Sequence, residues 1–240
     1  MERWIKLSLC RMFSFLACRL EGPVVPTLTV ERERLAKGAR TRESILRAAV
    51  DLASVEGLEG LTIGRLADEL DMSKSGLFAH FGSKEDLQLA TVDAAQTVFV
   101  DRVIRPALQA PPGVPRLWQL CENWLQYVEG KVFKGGCFFA AASFEFDSRK
   151  GPVRDAIAAA MREWLGILAR AIEGAKKARH LKASVKPEQF AFEIYSLAIG
   201  AHWGFQLLED KKALAQVRAT IRDRINALAT PACPPIRIKR

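Results

Sequence analysis

The sequence predicts an all-α fold of about nine or ten helices, and three features of the 240-residue chain indicate it. Apolar residues recur every three or four positions through most of the chain, which is the spacing of one helix face. Glycine and proline cluster between these stretches, where they end one helix before the next begins. No segment alternates apolar and polar residues as a half-buried strand would.

The beginning of the chain differs from the rest. Residues 7–18 are apolar and follow basic residues, as in a weak signal peptide, and they end like a lipoprotein cleavage box. Arg11 interrupts this run, which is also too short to span a bilayer. We therefore expect residues 1–38 to be a leader or arm, either disordered or the product of a misassigned start, and residues 231–240 to be a tail. A cytoplasmic protein with no membrane partner is expected.

Net charge alone does not identify a partner. The chain carries +9, but residues 1–91 hold 13 basic and 13 acidic residues, so the excess lies in the remainder. Any contact of the first part with an anionic partner must therefore depend on a few positioned side chains and not on a general positive field.

The five cysteines are irregularly spaced, and three histidines are too few for a metal site. We expect buried structural thiols, with a redox sensor as the alternative, and neither a metal nor another cofactor.

The first helices can be placed from their end signals. An amphipathic helix over 41–55 ends near Gly57. Thr62 is expected to cap the second helix, Ser73 the third after a turn at Asp71, and Ser83 a long fourth helix that Pro106 stops. Further helices are expected at 116–131, 137–146, 152–178, 187–208 and 210–229.

The third helix has an unusual composition. It begins with Ser73-Lys74-Ser75-Gly76, which is poor core material, while Leu77, Phe78 and Phe81 are expected to pack back on the first two helices. A short helix that exposes small polar residues at its start is well suited to the DNA major groove.

Two segments of the chain resemble a known protein family. Residues 39–85, above all LTIGRLADELDMSKSGLFAHFGSK at 61–84 followed by Glu85-x-Leu87, resemble the DNA-binding domain of the TetR/AcrR family of transcriptional regulators. Residues 136–153, GCFFAAASFEFDSRKGPV, are similar to the ligand-binding domain of one subgroup. The resemblance implies an N-terminal three-helix helix-turn-helix DNA-binding domain at 39–85, followed by a larger helical ligand-binding and dimerisation bundle at 86–230.

The resemblance also implies which residues contact DNA. Lys74 and Ser75 would reach base edges, and Gly76 would let the backbones approach closely. Phe78 stands where tyrosine is common in the family, so a hydroxyl that could bond a phosphate is absent. The expected DNA-binding residues are Arg40, Arg42, Thr62, Arg65, Ser73, Lys74, Ser75, Gly76, Phe78, His80 and Lys84.

Two further sites are expected in the larger domain. Aromatic residues with a few polar ones could line a pocket for a small apolar or aromatic effector, although they could equally be core. These residues are Trp118, Trp124, Phe138, Phe139, Glu145, Trp164, Tyr195, His202 and Trp203. Small residues on one late helix, with ordinary core packing as the alternative, would form a homodimer interface. They are Ala198, Gly200, Ala201 and Gly204.

The expected function is therefore a transcriptional repressor that binds a palindromic DNA operator as a homodimer and is released by a small effector. No enzyme is expected, because paired carboxylates, a phosphate-binding loop and a nucleophile motif are not visible in the sequence. Three alternatives stay open: a DNA-binding protein without an effector, a helical enzyme, and a membrane-attached module.

Overall fold

The computed structural model describes residues 26–236, with side chains from residue 36 onward. This part of the chain forms helices without a strand, which confirms the predicted all-α fold. The helices are α1 (Pro26–Glu56), α2 (Ile63–Leu70), α3 (Lys74–Phe81), α4 (Lys84–Phe99), α5 (Val114–Glu129), α6 (Phe138–Glu145), α7 (Pro152–Lys177), α8 (Pro187–Leu207) and α9 (Ala213–Leu228).

The predictions for the leader up to residue 25 and for residues 237–240 lie outside the described residues. Among the helices that are described, none has the length and apolar character needed to cross a membrane.

Helix α1 begins at Pro26, well before the start near Thr41 that the apolar periodicity indicated. The chain divides into two units after Glu43, and the helix-turn-helix and all later helices belong to the second unit, Ser44–Arg240.

The helix-turn-helix is held by a small apolar core. Ile45 and Ala49 of α1, Leu66 of α2, and Leu77 and Phe81 of α3 are all buried. The expectation that Phe78 packs on the first two helices is wrong, since 55% of its surface is exposed. Leu77 and Phe81 are four residues apart and share the inward face of α3, which turns Phe78 outward.

The helix that begins with α4 ends at Ala107, one residue after the proline that was predicted to stop it. It continues without a break through a π-helical segment, Val100–Ile104, into a last turn at Arg105–Ala107 that contains the proline. A wider π turn relieves the clash that the proline ring otherwise makes with the preceding turn. The buried side chain of Asn123 on α5 donates a 2.8 Å hydrogen bond to the Val103 carbonyl in this segment.

The larger bundle is built around α7, which packs against α4, α5 and α8, while α8 also packs against α9. Aromatic rings fill its centre: Phe99 lies edge-on to Trp164 at 5.1 Å and to Tyr127 at 5.6 Å between ring centroids. Helix α4 therefore connects the helix-turn-helix directly to the middle of the bundle.

Candidate nucleic-acid interface and internal cavity

Helix α3 presents an exposed polar beginning on a well-anchored base. The Ser73 hydroxyl accepts a 3.1 Å hydrogen bond from the Gly76 N–H and caps the helix, as the sequence predicted. The turn before it passes through Asp71 in a left-handed conformation with φ of 51°. Ser73, Lys74 and Ser75 are exposed, so this end of α3 is accessible to a partner.

Helix α2 begins at the same surface. The Thr62 hydroxyl accepts a 3.1 Å hydrogen bond from the Arg65 N–H, which confirms the predicted cap. The Arg65 guanidinium is bound to two carboxylates, at 2.6 Å from Glu56 and 3.0 Å from Glu69. These hydrogen bonds, above all the one to Glu56, raise the pKa of Arg65. A phosphate that contacts Arg65 would therefore compete with these carboxylates for the guanidinium.

Lys84, at the start of α4, also has a carboxylate partner. Its ammonium group lies 2.8 Å from a carboxylate oxygen of Glu59, which also pairs with Arg149 at 3.1 Å. The hydrogen bond from Lys84 is the main reason that the pKa of Glu59 is lowered. Sequence reasoning missed Glu59, because it lies 25 residues from Lys84 and no local pattern joins the two.

The other predicted DNA-binding residues lie at exposed or half-buried positions. His80 is half-buried near the end of α3, and its ring lies 6.3 Å from that of Phe81. Arg40 and Arg42 are exposed on α1, in the first unit of the chain.

A small cavity of about 10 Å³, room for about one water molecule, lies between the helices of the larger bundle. Helices α5, α7, α8 and α9 all contribute to its wall, and no charged side chain lines it. Its lining residues are Cys121, Trp124, Leu125, Trp164, Leu168, Ile194, Tyr195, Ala198 and Ile221.

The structure brings three of the predicted pocket residues, Trp124, Trp164 and Tyr195, to this cavity. Trp203 instead lies 55% exposed on the surface of α8. The remaining predicted residues are placed in the core or in polar contacts elsewhere, and these are Trp118, Phe138, Phe139, Glu145 and His202. Sequence reasoning missed the aliphatic part of the wall, because a leucine or isoleucine lining a cavity has the same spacing as one in the core.

The thiols near the cavity have low reactivity at neutral pH. Burial raises the pKa of Cys121 to about 12 and that of Cys137 to about 11. At neutral pH both are therefore protonated, and the thiolate that reacts with oxidants and electrophiles is scarce.

Helix α8 carries an exposed apolar face. Phe192, Trp203 and Leu207 are each more than half exposed, and the small residue Gly200 lies exposed between them. The other three residues predicted for a dimer interface, Ala198, Ala201 and Gly204, are buried within the chain. A Cβ added at Gly204 would lie 3.2 Å from that of Ala213, so this glycine permits close packing of α8 on α9.

Sequence comparison relates both parts of the chain to known regulators. A profile described as bacterial regulatory proteins of the tetR family matches residues 45–91, and one described as the tetracyclin repressor-like C-terminal domain matches residues 113–221. The HTH-type transcriptional regulator TcmR of Streptomyces glaucescens is 32% identical over 106 residues, which are 41% of this chain and 47% of TcmR. The tetracycline repressor protein class C of Escherichia coli is 39% identical over 57 residues, 24% of this chain and 26% of that protein. The chain thus matches less than half the length of these curated relatives.

Solved structures share the fold over most of the chain. A TetR transcriptional regulator from Chloroflexus aurantiacus superposes with a TM-score of 0.75 at 24% identity, covering 81% of this chain and 98% of that one. The regulator AibR, solved in complex with isovaleryl coenzyme A and operator DNA, superposes with a TM-score of 0.61 at 21% identity, covering 78% and 98%.

Proposed function

The chain belongs to the TetR family of DNA-binding transcriptional regulators, and from this premise we propose that it is a repressor. As a homodimer it binds a palindromic operator in the cytoplasm, and a small molecule that occupies the internal cavity releases it. We also propose that the protein has neither a catalytic activity nor a membrane partner.

The exposed beginning of α3 carries this proposal. Buried Leu77 and Phe81 fix the helix, and Ser73, Lys74 and Ser75 face outward, where they reach the major groove. Lys74 and Ser75 contact base edges, and the remaining predicted residues position the helix on the sugar-phosphate backbone.

The side chains that contact phosphates exchange a carboxylate partner for a phosphate oxygen. Arg65 and Lys84 already have carboxylate partners, at 2.6 Å and 2.8 Å, which a phosphate oxygen replaces when DNA binds. Because these pairs are exposed to solvent, water and salt weaken them, and the exchange costs little.

Dimerisation uses the exposed face of α8. The mostly apolar stripe that contains Phe192, Gly200, Trp203 and Leu207 suits pairing with the same stripe of a second copy, since a two-fold interface is self-complementary. The two recognition helices of such a dimer read half-sites separated by roughly 34 Å, one turn of DNA, or by a multiple of it.

The effector is a small apolar or aromatic molecule that binds a conformer in which the cavity is wider, because the cavity volume of about 10 Å³ holds about one water molecule. The cavity wall supplies two tryptophans and aliphatic side chains with no charge, so a charged group would lose its hydration there without a partner. The ligand favours a conformer whose recognition helices are wrongly spaced for the operator, with α4 as the lever between the domains. Such coupling typically amounts to about 1–3 kcal/mol.

Footprinting tests this function. The purified chain is added to the DNA upstream of its own gene, and protection of an inverted repeat is the expected result. A panel of uncharged aromatic compounds is then expected to contain one that removes the protection. If the chain protects no DNA with or without these compounds, the repressor proposal fails.

A further inference from the structure

Glu145 makes a contact that the proposed DNA and effector sites do not use. Both of its carboxylate oxygens accept backbone hydrogen bonds of 2.8 Å, one from the Leu58 N–H and the other from the Glu59 N–H. Glu145 is the last residue of α6, in the larger bundle, whereas these amides lie in the loop between α1 and α2. The bond pair therefore joins two parts of the chain that are 86 and 87 residues apart in sequence.

The conformation of the loop leaves room for the Glu145 carboxylate. Gly57 adopts a φ of +86°, and a Cβ at this position would lie 2.9 Å from Glu145 Oε1. The absence of a side chain thus permits both the left-handed turn and the approach of the carboxylate. On its other side the loop is held by α4, because the buried side chain of Gln88 donates a 2.8 Å hydrogen bond to the Leu58 carbonyl.

A second contact accompanies the first. The Gly135 N–H, in the segment before α6, donates a 3.0 Å hydrogen bond to the Ser54 hydroxyl near the end of α1. A Cβ at position 135 would overlap the Ser54 carbonyl oxygen, so the two backbones touch. Residues at both ends of α6 therefore contact the end of α1 and the loop that follows it.

The contact made by Glu145 is connected, through Glu59, to the predicted phosphate-binding residue Lys84. Glu59, whose N–H is held by Glu145, binds the ammonium group of Lys84 through its side chain at 2.8 Å. Arg149 pairs with the Glu59 carboxylate at 3.1 Å and donates a second hydrogen bond of 3.1 Å to the Glu145 carbonyl. The loop, Lys84 and the end of α6 thus form one connected group.

The opposite end of α6 is tied to the helix that lines the cavity. The Cys137 N–H donates a 3.1 Å hydrogen bond to His202 Nε2 on α8. The same helix contributes Tyr195 and Ala198 to the cavity wall. A series of hydrogen bonds, one from α6 to α8 and two from the loop to α6, therefore connects α8, α6 and the loop.

We propose that Glu145 is a positioning residue that fixes the helix-turn-helix against the larger bundle by holding the Leu58 and Glu59 amides, and so keeps the recognition helices ready for DNA. This inference rests on the proposed function, because positioning matters only if α3 reads DNA. A domain that is held in place loses less freedom on binding, so the bond pair strengthens DNA binding without touching DNA.

The test compares three variants of the full-length chain with the wild type. Glu145→Ala removes both acceptors, and Glu145→Gln keeps one acceptor oxygen. Asp147→Asn is the matched control, because it removes the same charge from an exposed position two residues away. Hydrogen exchange is measured at the Leu58 and Glu59 amides, and affinity is measured for an operator duplex selected by the wild-type chain, below the unfolding temperature of every variant.

In Glu145→Ala we expect exchange of both amides to accelerate at least tenfold and DNA affinity to fall about tenfold. Glu145→Gln is expected to fall between Glu145→Ala and the wild type, and Asp147→Asn to stay within twofold of the wild type in both measurements. A role confined to stability would lower the unfolding midpoint but leave the DNA affinity of the folded chain unchanged.

The outcomes separate the two proposals. Glu145→Ala affinity within twofold of the wild type would overturn the inference alone, as would unchanged exchange at both amides. A wild-type chain that selects no duplex would overturn the proposed function, and this inference with it.

Discussion

Lys74 differs from Arg65 and Lys84, the other lysine and arginine side chains proposed to contact DNA from the second unit. It lies exposed in the first turn of α3, whereas both of those residues are bound to carboxylates. Lys74 can therefore approach a base edge without first giving up an ion pair of that kind, and its removal should be the most damaging single change at this surface.

Replacing Lys74 by alanine should weaken operator binding by about 1–3 kcal/mol, because a side chain that reads a base edge supplies both affinity and discrimination. Fluorescence anisotropy of a labelled duplex at one fixed salt concentration measures this. Lys177→Ala, at an exposed position on α7, is the matched control and should leave the affinity nearly unchanged. Equal effects of the two variants would mean that Lys74 contributes only general positive charge.

The buried thiols predict how stability depends on alkaline pH. Burial raises the pKa of Cys121 from an ordinary value of 9.0 to about 12. Between these values the unfolded chain releases a proton that the folded chain keeps, so the free energy of unfolding falls as pH rises from about 9 toward about 12. Urea denaturation across this range should show a smaller fall for Cys121→Ala than for the wild type. The same slope in both chains would contradict the account.

Residue-level prediction from sequence succeeded where the interaction is local. The hydroxyls of Thr62 and Ser73 each cap a helix by accepting a hydrogen bond from an N–H three residues ahead, a spacing that can be read directly. It did not find the bonds of Glu145, which was expected in the effector pocket, because its partners lie 86 and 87 residues away. Only the packed structure brings such residues together.

At the level of whole elements, α4 begins with a reciprocal cap. The Ser83 hydroxyl accepts a 3.0 Å hydrogen bond from the Asp86 N–H and donates one of 2.6 Å to the Asp86 carboxylate. This cap starts the helix that connects the helix-turn-helix to the bundle.

Ser83→Ala should therefore lower the free energy of unfolding by about 1 kcal/mol, the usual cost of losing such a cap. Chemical denaturation followed by circular dichroism measures the change. Ser148→Ala, at an exposed position after α6, is the control and should be neutral. If the two serine variants are equally stable, the cap does not contribute to stability as described.

The helices themselves were largely predictable, because their apolar periodicity and end signals are local. The details of these helices were less predictable where packing against other parts of the chain decides them. A π-helical segment, Val100–Ile104, interrupts the α-helical pattern before Pro106, and Phe78 points outward because Leu77 and Phe81 already fill the inward face. A single-residue pattern cannot show either arrangement in advance.

For the whole molecule, the exposed face of α8 predicts a dimer that one charge should break. Trp203→Glu places a carboxylate in the middle of the apolar stripe, and sedimentation equilibrium should show monomers. Phe144→Glu changes an equally accessible aromatic residue, 66% exposed on α6, and should leave the dimer intact. A dimer that survives Trp203→Glu would exclude this face as the interface.

The position of a side chain in the whole molecule also explains why the pocket was only partly predicted. Trp164 and Trp203 are both tryptophans on long helices of the bundle, yet one lines the cavity and the other lies on the surface. The choice depends on which neighbouring helices cover each face, and the sequence of one helix does not contain that information.

The central claim is that the exposed beginning of α3 reads DNA, and selection from a random duplex library tests it most directly. The wild-type chain should enrich an inverted repeat whose half-sites are about one turn apart or a multiple of it. The double variant Lys74→Ala, Ser75→Ala should enrich no such repeat while remaining folded. Enrichment of the same repeat by both proteins, or of none by the wild type, would contradict the account.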